Sequence, residues 1–273
     1  MDSVTEGLGA PAAPGQAPGP APAGSVQAVD RALDVLEALA AAARPLGVSA
    51  LAQVTGLPVG TIHRLLRTLA ARGFVRQEAT RNYALGPALF RVGHASTRAI
   101  AAPARPYLAR LVEISGETAN LAVLEGDHVV YVAQVPSAHR LRMFAEVGRH
   151  VLPHSTAVGK VMLADRPAEL ADDVIRRTGL PVRTPNTISD PAAFAAELVR
   201  VRAQGWAEDD EEEETGVRCF AVPVRDGGRV VAAMSVSGPA ARFDGVAIEP
   251  LVAQMQEVAD MFAAEGLRGG ARI

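Results

Sequence analysis

The stretch GLPVGTIHRLLRTLAARGFV, residues 56–75, decides the fold of the first part of the chain. Gly56 and Leu57 predict a tight turn. Pro58 suits the first turn of a helix, where its fixed φ is already helical and its missing N–H is not needed. Gly73 is predicted to end that helix, because glycine tolerates the left-handed conformation common after a helix C-terminus. A tight turn followed by such a helix predicts the second half of a helix-turn-helix.

The predicted helix has two chemically different faces when residues are placed about 100° apart. The face predicted to be buried carries four aliphatic side chains: Ile62, Leu65, Leu66 and Leu69. The opposite face carries Gly60, Arg64, Arg67 and Ala71, with Thr61, His63 and Thr68 at its edges. Arginine side chains on a helix that enters the major groove can bind guanine edges through two hydrogen bonds. This face therefore predicts a recognition helix.

The flanking segments predict a complete winged module. Residues 26–43 have helical spacing, and Ser49 is expected to cap a short second helix through its hydroxyl. The segments FVRQ (74–77) and NYAL (82–85) read as the two strands of a wing. Arg72, Arg76 and Arg81 are expected to contact phosphates, which contributes affinity without sequence information. The candidate DNA-contacting residues are Ser49, Thr61, His63, Arg64, Arg67, Arg76 and Arg81.

Composition separates a basic part of the chain from an acidic part. Residues 25–100 hold nine arginines against four acidic residues, so they carry +5 of a total charge of −3 and the remainder carries −8. A single cysteine allows no internal disulfide and no cysteine-rich zinc site. No apolar run is long enough to span a membrane, and the N-terminus lacks a secretion signal. A soluble, cytoplasmic protein is expected, with residues 1–24 forming a disordered Pro-, Ala- and Gly-rich arm.

The second part of the chain predicts a mixed α+β domain with an antiparallel sheet. A connecting helix is expected from about Pro87 to Ala99, and a separate helix from near Pro103. Hairpins are expected at residues 126–127 and 226–228, and a further strand in RLRMFAEV (140–147). A helix is expected in STAVGKVMLADR (155–166), another after Asp190 as its cap, and a last one in residues 247–266. The predicted divisions are 1–24 arm, 25–86 winged helix-turn-helix, 87–100 linker helix and 101–267 second domain.

A dense acidic block, EDDEEEETGVRC (208–219), interrupts this pattern. Its seven acids are contiguous and have no neighbouring histidine, which argues against a metal site. The calcium-loop pattern also fails, because Gly216 is sixth counting from Glu211 but the twelfth residue is Val222. Most of these carboxylates are expected to be solvated. No metal, cofactor or catalytic residue is predicted.

Several motifs, in this order, resemble the IclR family of bacterial transcription regulators. They are VQAVDRALDVLEAL, GLPVGTIHRLLRTLAARGFV, YALG, LPHSTAVGKVMLA, EDDEEEETGVRCFAVPV and AAMSVSGP, which together cover roughly residues 25–266. The resemblance implies a winged helix that binds an operator as a dimer, joined to an effector domain similar to GAF and PAS folds. It also implies homodimers or homotetramers, often repressors, and effectors that are frequently small carboxylates. Val59 and Gly60 depart from the family's usual basic residue and serine, which leaves the operator sequence open.

The resemblance implies an effector site built from residues far apart in the sequence. The effector-binding candidates are Ala157, Val158, Asp209, Val217, Cys219, Ser235 and Ser237. Ala157 and Val158 match a loop whose backbone N–H groups bind a carboxylate. Ser235 and Ser237 are two apart on a predicted strand and so share a face, although hydrogen bonding within the sheet alone would also explain them. His154 is expected either to cap the following helix or to touch the ligand.

Three alternatives remain at this level. The first takes the arginines of the first module as solvated residues of a helical scaffold. The second takes Cys219 and His154 as the nucleophile and base of an enzyme, although a cysteine at the start of a buried strand is more often inert. The third is an architectural DNA-binding protein without an effector. The leading interpretation is a transcriptional regulator, more often a repressor, whose operator binding responds to a small carboxylate.

Overall fold

The structure, a computed structural model, describes residues 26–141 and 147–267, with the backbone alone at 94, 96–98 and 100. Two compact units divide the chain, one ending at His94 and the other beginning at Ala95. The arm 1–24 lies outside the described residues. So does most of the expected strand 140–147.

The first unit is a three-helix module with a two-stranded wing. Its elements are α1 Gln27–Ala41, α2 Val48–Thr55, α3 Val59–Ala71, β1 Val75–Gln77 and β2 Tyr83–Leu85. The strands are antiparallel, with Val75 opposite Leu85. One face of each helix is apolar, and the helices bury these faces together. The buried core residues are Val35, Leu39, Leu51, Ile62, Leu66 and Val75.

The turn between α2 and α3 forms as predicted, but both helices begin differently than expected. Gly56 has φ +68°, the left-handed conformation that lets the chain turn after α2. The expected cap at Ser49 is wrong, because α2 begins at Val48 with Gly47 in the cap position. Leu46 exchanges two backbone hydrogen bonds with Tyr83, which pins the chain in an extended conformation just before the helix starts. Pro58 likewise precedes α3 as its extended cap residue.

A single helix, α4 Ala88–Ser115, replaces the two helices expected around Pro103. Pro103 and Pro106 both lie inside it. Proline withholds the N–H that would bond the carbonyl four residues earlier, here those of Ala99 and Ala102. Both alanines are exposed to solvent, while Ala104, Leu108 and Leu111 pack into the core. The hydrogen bonds lost at the two prolines therefore lie on the solvent side of α4, and burial of apolar side chains on its other side keeps the helix continuous.

The second unit is built on a six-stranded antiparallel sheet in the order β5-β4-β3-β8-β7-β6. The strands are β3 Thr118–Glu125, β4 His128–Val135, β5 His150–Val151, β6 Ala207–Asp210, β7 Val217–Asp226 and β8 Arg229–Pro239. The helices are α5 Ala157–Ala164, α6 Ala168–Thr178, α7 Pro191–Gln204, α8 Ala240–Phe243 and α9 Ile248–Met261, followed by a π-helix Phe262–Gly266. Both predicted hairpins are present, with Glu125 opposite His128 and Asp226 opposite Arg229.

The two faces of the sheet differ in what covers them. On one face, α4 and α9 pack Leu108 and Met255 against Phe220, Met234 and their neighbours. On the other face, α5 and α7 pack against smaller side chains, including Ala122, Cys219 and Ala233. The predicted cap of α7 is confirmed, since the Asp190 carboxylate accepts the N–H of Ala193 at 2.8 Å. Among the described residues, no helix combines the length and apolarity that crossing a membrane requires.

Candidate DNA-contacting face and effector site

The two predicted faces of α3 are present in the first unit. Ile62 and Leu66 are buried, whereas Gly60, Arg64, Arg67 and Ala71 are exposed. A Cβ at Gly60 would meet nothing within 4 Å, so a serine would fit there. Val59 is 49% exposed beside it. The helix therefore presents two arginines across a surface that small side chains leave open.

The wing places further polar groups beside this helix. A groove of about 400 Å³ is lined by His63, Arg64 and Arg67 from α3 and by Gln77 and Tyr83 from the wing. Arg81 occupies the wing turn with φ +63°, and its carbonyl accepts the side-chain N–H of Gln77 at 3.3 Å.

The other candidates of this unit are exposed to different degrees. Arg76 pairs with Glu78 at 3.1 Å, so only part of its charge is available to a phosphate. Ser49 and Arg72 are exposed, and Thr61 is half-buried.

In the second unit, the sheet register aligns most of the expected effector residues in one row. Asp209 lies opposite Cys219, Cys219 opposite Ser237, and Ser237 opposite Thr118, across four neighbouring strands. Ser235 begins a second row opposite Asn120. All of these side chains are on the face covered by α5. Residues separated by more than a hundred positions in the sequence are therefore neighbours on one buried surface.

Ala157 and Val158 lie at the start of α5 and pack against this surface in the same apolar cluster as Cys219 and Tyr131. The helix is capped by Thr156, whose hydroxyl accepts the N–H of Gly159 at 3.3 Å. Gly159 approaches Pro153 so closely that a Cβ would stand 2.3 Å from its backbone. Val217 is apart from this group, because it begins β7 opposite Pro239 and is only half-buried.

Asp209 is a buried carboxylate held by backbone donors. Its Oδ1 accepts the N–H groups of Glu212 at 2.7 Å and Glu213 at 3.2 Å. Burial raises the pKa of Asp209 to about 7, helped by the neighbouring charge of Glu212 and opposed by the two N–H bonds. A proton at this carboxyl therefore exchanges near neutral pH.

Cys219 is not an activated thiol. Burial and the nearby Asp209 charge raise its pKa to about 12, and the hydroxyl of Ser237 donates to its Sγ at 3.1 Å. His154 is fully buried, and its Nε2 donates to the carbonyl of Pro181 at 3.1 Å. Burial lowers the pKa of His154, and Nδ1 has no partner among the described residues. A protonated thiol and a histidine tied to a loop carbonyl do not form a nucleophile and its base.

The acidic block is mostly buried or paired, and the expectation that it is solvated is wrong for five of its seven residues. Only Asp210 and Glu214 are exposed. Glu208 and Asp210 both pair with Arg218, and Glu211 accepts the N–H of Gly216 at 2.6 Å. The first three acids lie in strand β6, and the other four lie in the turn before β7.

The two remaining acids connect this turn to α5. The Glu213 carboxylate accepts the hydroxyl of Ser155 at 2.6 Å and lies 3.4 Å from the Arg183 guanidinium. Glu212 accepts the ammonium of Lys160, the only lysine in the chain, which is itself 1% exposed. Lys160 also donates to the carbonyl of Glu208 at 2.8 Å and lies 3.5 Å from Glu197 on α7.

A neighbouring loop is hydrogen-bonded to the same turn. The Thr184 hydroxyl donates to the carbonyl of Glu211 at 2.6 Å, and the Thr187 hydroxyl donates to that of Glu212 at 2.7 Å. Asp209 thus lies near the end of β6, and its carboxylate is bonded to a turn whose position is fixed by Lys160, by Ser155 and by this loop. Among the described residues no group of three or more His, Cys, Asp or Glu side chains is arranged to hold a metal ion.

Three polar residues of this surface were missed by the sequence reasoning. Asn120 and Gln134 lie on β3 and β4, and the Gln134 Nε2 donates to the Asn120 Oδ1 at 2.9 Å. Tyr131 is buried beside Cys219 and Asp209, and burial raises its pKa. The alternation in TANLAV (118–123) holds the missing signal, since Thr118 and Asn120 share a face that an apolar core would fill with aliphatic residues.

Comparison with known proteins gives matches over nearly the whole described chain. Residues 28–79 match the family described as IclR helix-turn-helix domain, and residues 93–263 match Bacterial transcriptional regulator IclR C-terminal. The HTH-type transcriptional regulator BhcR of Paracoccus denitrificans is 41% identical over 224 residues, 80% of each chain. The transcriptional repressor IclR of Escherichia coli is 38% identical over 225 residues, 80% of this chain and 82% of that protein.

The solved structures agree with the described fold. The IclR transcriptional regulator of Alicyclobacillus acidocaldarius superposes with a TM-score of 0.76 at 29% identity, over 88% of this chain and 98% of that one. The matched families and relatives are transcription regulators and not enzymes. The chain therefore belongs to the IclR family of bacterial transcriptional regulators, DNA-binding proteins with an N-terminal helix-turn-helix and a C-terminal domain that binds a small-molecule effector.

Proposed function

We propose that this protein is a repressor that reads its operator with α3. Arg64 and Arg67 contact base edges, Arg76 and Arg81 contact phosphates, and Ser49, Thr61 and His63 flank them. The exposure of both α3 arginines beside the small residues Gly60 and Ala71 supports this arrangement. Repression is supported by the E. coli relative, whose name describes it as a repressor. The DNA-binding part is residues 25–86, followed by a linker at 87–100.

The effector of residues 101–267 is a small carboxylate held between the start of α5 and the polar row of the sheet. The observation that carries this is the row Asp209–Cys219–Ser237, with Ser235 beside it, buried where the sheet otherwise carries small apolar residues. The first backbone hydrogen bond of α5 runs from the N–H of Lys160 to the carbonyl of Thr156, and the Thr156 hydroxyl accepts the N–H of Gly159. Because the N–H groups of Ala157 and Val158 come before these bonds, they are suited to bind an anion.

The protein acts in the cytoplasm as a homodimer or homotetramer. Support comes from apolar side chains that the first unit leaves in water. Val26 at the N-cap of α1 and Val29 and Leu33 on the helix are 50–64% exposed, and Phe90 is 82% exposed. A stripe of this kind is normally covered by a partner. Val217, at the start of its strand, is assigned to the rim of the effector site.

Fluorescence anisotropy of the full chain with DNA from upstream of its own gene tests the proposal. We expect saturable binding that outcompetes random DNA and weakens when acetate, pyruvate or benzoate is added. A response that is equal for all DNA sequences and fully suppressed by salt would leave only electrostatic attraction and would refute operator recognition. Specific binding that no acid changes would refute the carboxylate effector.

A further inference from the structure

The buried amide of Asn120 lies at the centre of the polar surface. It is 1% exposed, and its Nδ2 lies 3.4 Å from the Ser235 Oγ and 3.4 Å from the Ser237 Oγ. Its Oδ1 accepts the Nε2 of Gln134 at 2.9 Å. The amide therefore has its acceptor side turned toward Gln134 and its donor side turned toward the two serines.

The direction of these bonds fixes where the serine protons go. An amide NH₂ carries two donors and no acceptor, so each serine oxygen receives a hydrogen from Asn120 and must donate its own hydrogen elsewhere. The Ser237 hydroxyl donates to the Cys219 Sγ at 3.1 Å. The Ser237 hydrogen thus points to the row that holds Cys219 and Asp209, and the sulphur that receives it is a weak acceptor. The Ser235 hydrogen is likewise not taken up by the Asn120 NH₂ and is left for another acceptor.

We propose that Asn120, oriented by Gln134, is a positioning residue that makes Ser235 and Ser237 a pair of hydrogen-bond donors for the effector. This inference rests on the proposed effector site. An effector oxygen is a stronger acceptor than the cysteine sulphur and accepts both hydroxyl hydrogens when it binds. The pair therefore selects a carboxylate or keto oxygen at this end of the site and rejects a group that can only donate, such as an ammonium.

A merely structural role for Asn120 makes a different prediction. If the amide only ties β3 to β8, any side chain at position 134 that leaves the fold intact should leave effector choice unchanged. If the amide sets the direction of the serine bonds, the chemistry of residue 134 decides effector binding without touching the effector. Gln134 is half-buried on β4, so its replacements are tolerated better than replacements of Asn120 itself.

The variants Gln134→Glu and Gln134→Lys form the matched pair. A glutamate only accepts hydrogen bonds, so the Asn120 amide should turn over, present Oδ1 to the serines and draw both hydroxyl hydrogens toward it, that of Ser237 away from Cys219. A lysine only donates, so it should preserve the natural orientation. Asn120→Asp is the second variant, since its carboxylate also draws the serine hydrogens toward itself.

Infrared spectroscopy of the thiol S–H stretch reads this orientation in the full chain without any effector. Cys219 is the only cysteine, so the band has a single source. In the natural protein and in Gln134→Lys the sulphur accepts the Ser237 hydroxyl. In Gln134→Glu and Asn120→Asp the Ser237 oxygen faces the thiol, so the S–H should donate to it and its band should move to lower frequency. Identical bands in all four proteins would overturn the inference.

Calorimetric titration with acetate, pyruvate and benzoate supplies the second readout. We expect affinity for whichever acid binds the natural protein to fall about tenfold to a hundredfold in Gln134→Glu and to stay within about threefold in Gln134→Lys. Equal loss in both variants would also overturn the inference. A shifted thiol band with no acid bound by the natural protein would support the orienting role of Asn120 and would count against the carboxylate effector of the proposed function.

Discussion

This chain has two dense groups of charge, the arginines of α3 and the acids before β7. The two groups differ in their exposure to solvent. Arg64 and Arg67 stand exposed on a helix whose other face is fully aliphatic. The acids of residues 208–214 are mostly drawn into the structure, where they bind Arg218, Lys160, Ser155 and backbone N–H groups. Charge left in solvent is available to a partner, whereas charge that is buried and paired holds a turn in place. Substitutions in the two groups should therefore affect different properties.

The largest expected effect is on stability, from Lys160→Met. This change leaves Glu212 and Glu197 without their common cation in a buried site, which should lower the free energy of unfolding by about 3–5 kcal/mol. Urea unfolding can be followed by the fluorescence of Trp206, the only tryptophan, whose ring lies 6.1 Å from that of Phe220 in the same unit.

Arg176→Met is the matched control for Lys160→Met, because Arg176 pairs with Asp173 on an exposed helix surface. Its loss should cost no more than about 1 kcal/mol. Equal losses in the two variants would mean that the Lys160 cluster stabilises the fold no more than a surface pair, and the contrast between the two charge groups would fail.

The next effect is on DNA binding, from Arg67→Ala. Losing one base contact of this kind should weaken operator binding by about 1–3 kcal/mol, while the free energy of unfolding stays within about 0.5 kcal/mol because the side chain is exposed. Anisotropy titrations with the operator and with random DNA measure both affinity and discrimination.

Arg72→Ala separates a base contact from a phosphate contact. Arg72 follows α3 and is exposed, so its removal should weaken binding to operator and random DNA alike. If Arg67→Ala also weakens both DNAs equally, α3 holds the DNA without reading its sequence.

A pH effect should follow from Asp209. The pKa of Asp209 in the folded protein is raised to about 7, above the pKa of an unfolded aspartate. Between these two pH values the folded state therefore holds a proton that the unfolded state has lost. Stability from this group is therefore present at low pH and is lost as pH rises from about 4 through about 7, with a slope of at most about 1.4 kcal/mol per pH unit. Asp209→Asn keeps an oxygen for the two N–H donors and removes the proton.

The measurement is the free energy of unfolding of both proteins at pH 6, 7 and 8. Lys160, Glu212 and Glu213 also surround this carboxyl, so the comparison with Asp209→Asn isolates its contribution. The natural protein should lose stability relative to the variant as pH rises. Parallel curves would show that Asp209 does not exchange a proton in this range.

Local features of the fold were predictable from the sequence. The two faces of α3 follow from helical periodicity, the hairpins at 126–127 and 226–228 from turn residues, and the α7 cap from Asp190. Each depends on side chains close in the sequence.

The features that were not predictable depend on distant partners. The acids of β6 have low strand propensity, and they form a strand because β7 pairs with them. Lys160 meets Glu212 from 52 residues away. Helix α4 continues through Pro103 and Pro106 because buried contacts on one side of it outweigh the lost hydrogen bonds. The role of Asn120 could be inferred only from the register of β3 against β8. The alternation of polar and apolar residues in β3 suggests this register but does not fix it.

The smallest expected effect comes from Asp210→Asn, within the acidic block itself. The Asp210 carboxylate is 59% exposed and lies 3.0 Å from the Arg218 guanidinium, which keeps a second, more buried partner in Glu208 and lies over the ring of Phe220. Solvent screening and the retained contacts should hold the loss of unfolding free energy to about 0.5 kcal/mol or less. Glu208→Gln, at the less exposed partner of the same arginine, should cost more. If the two variants cost the same, exposure does not govern the contribution of these acids, and the contrast with the solvated arginines of α3 would need another explanation.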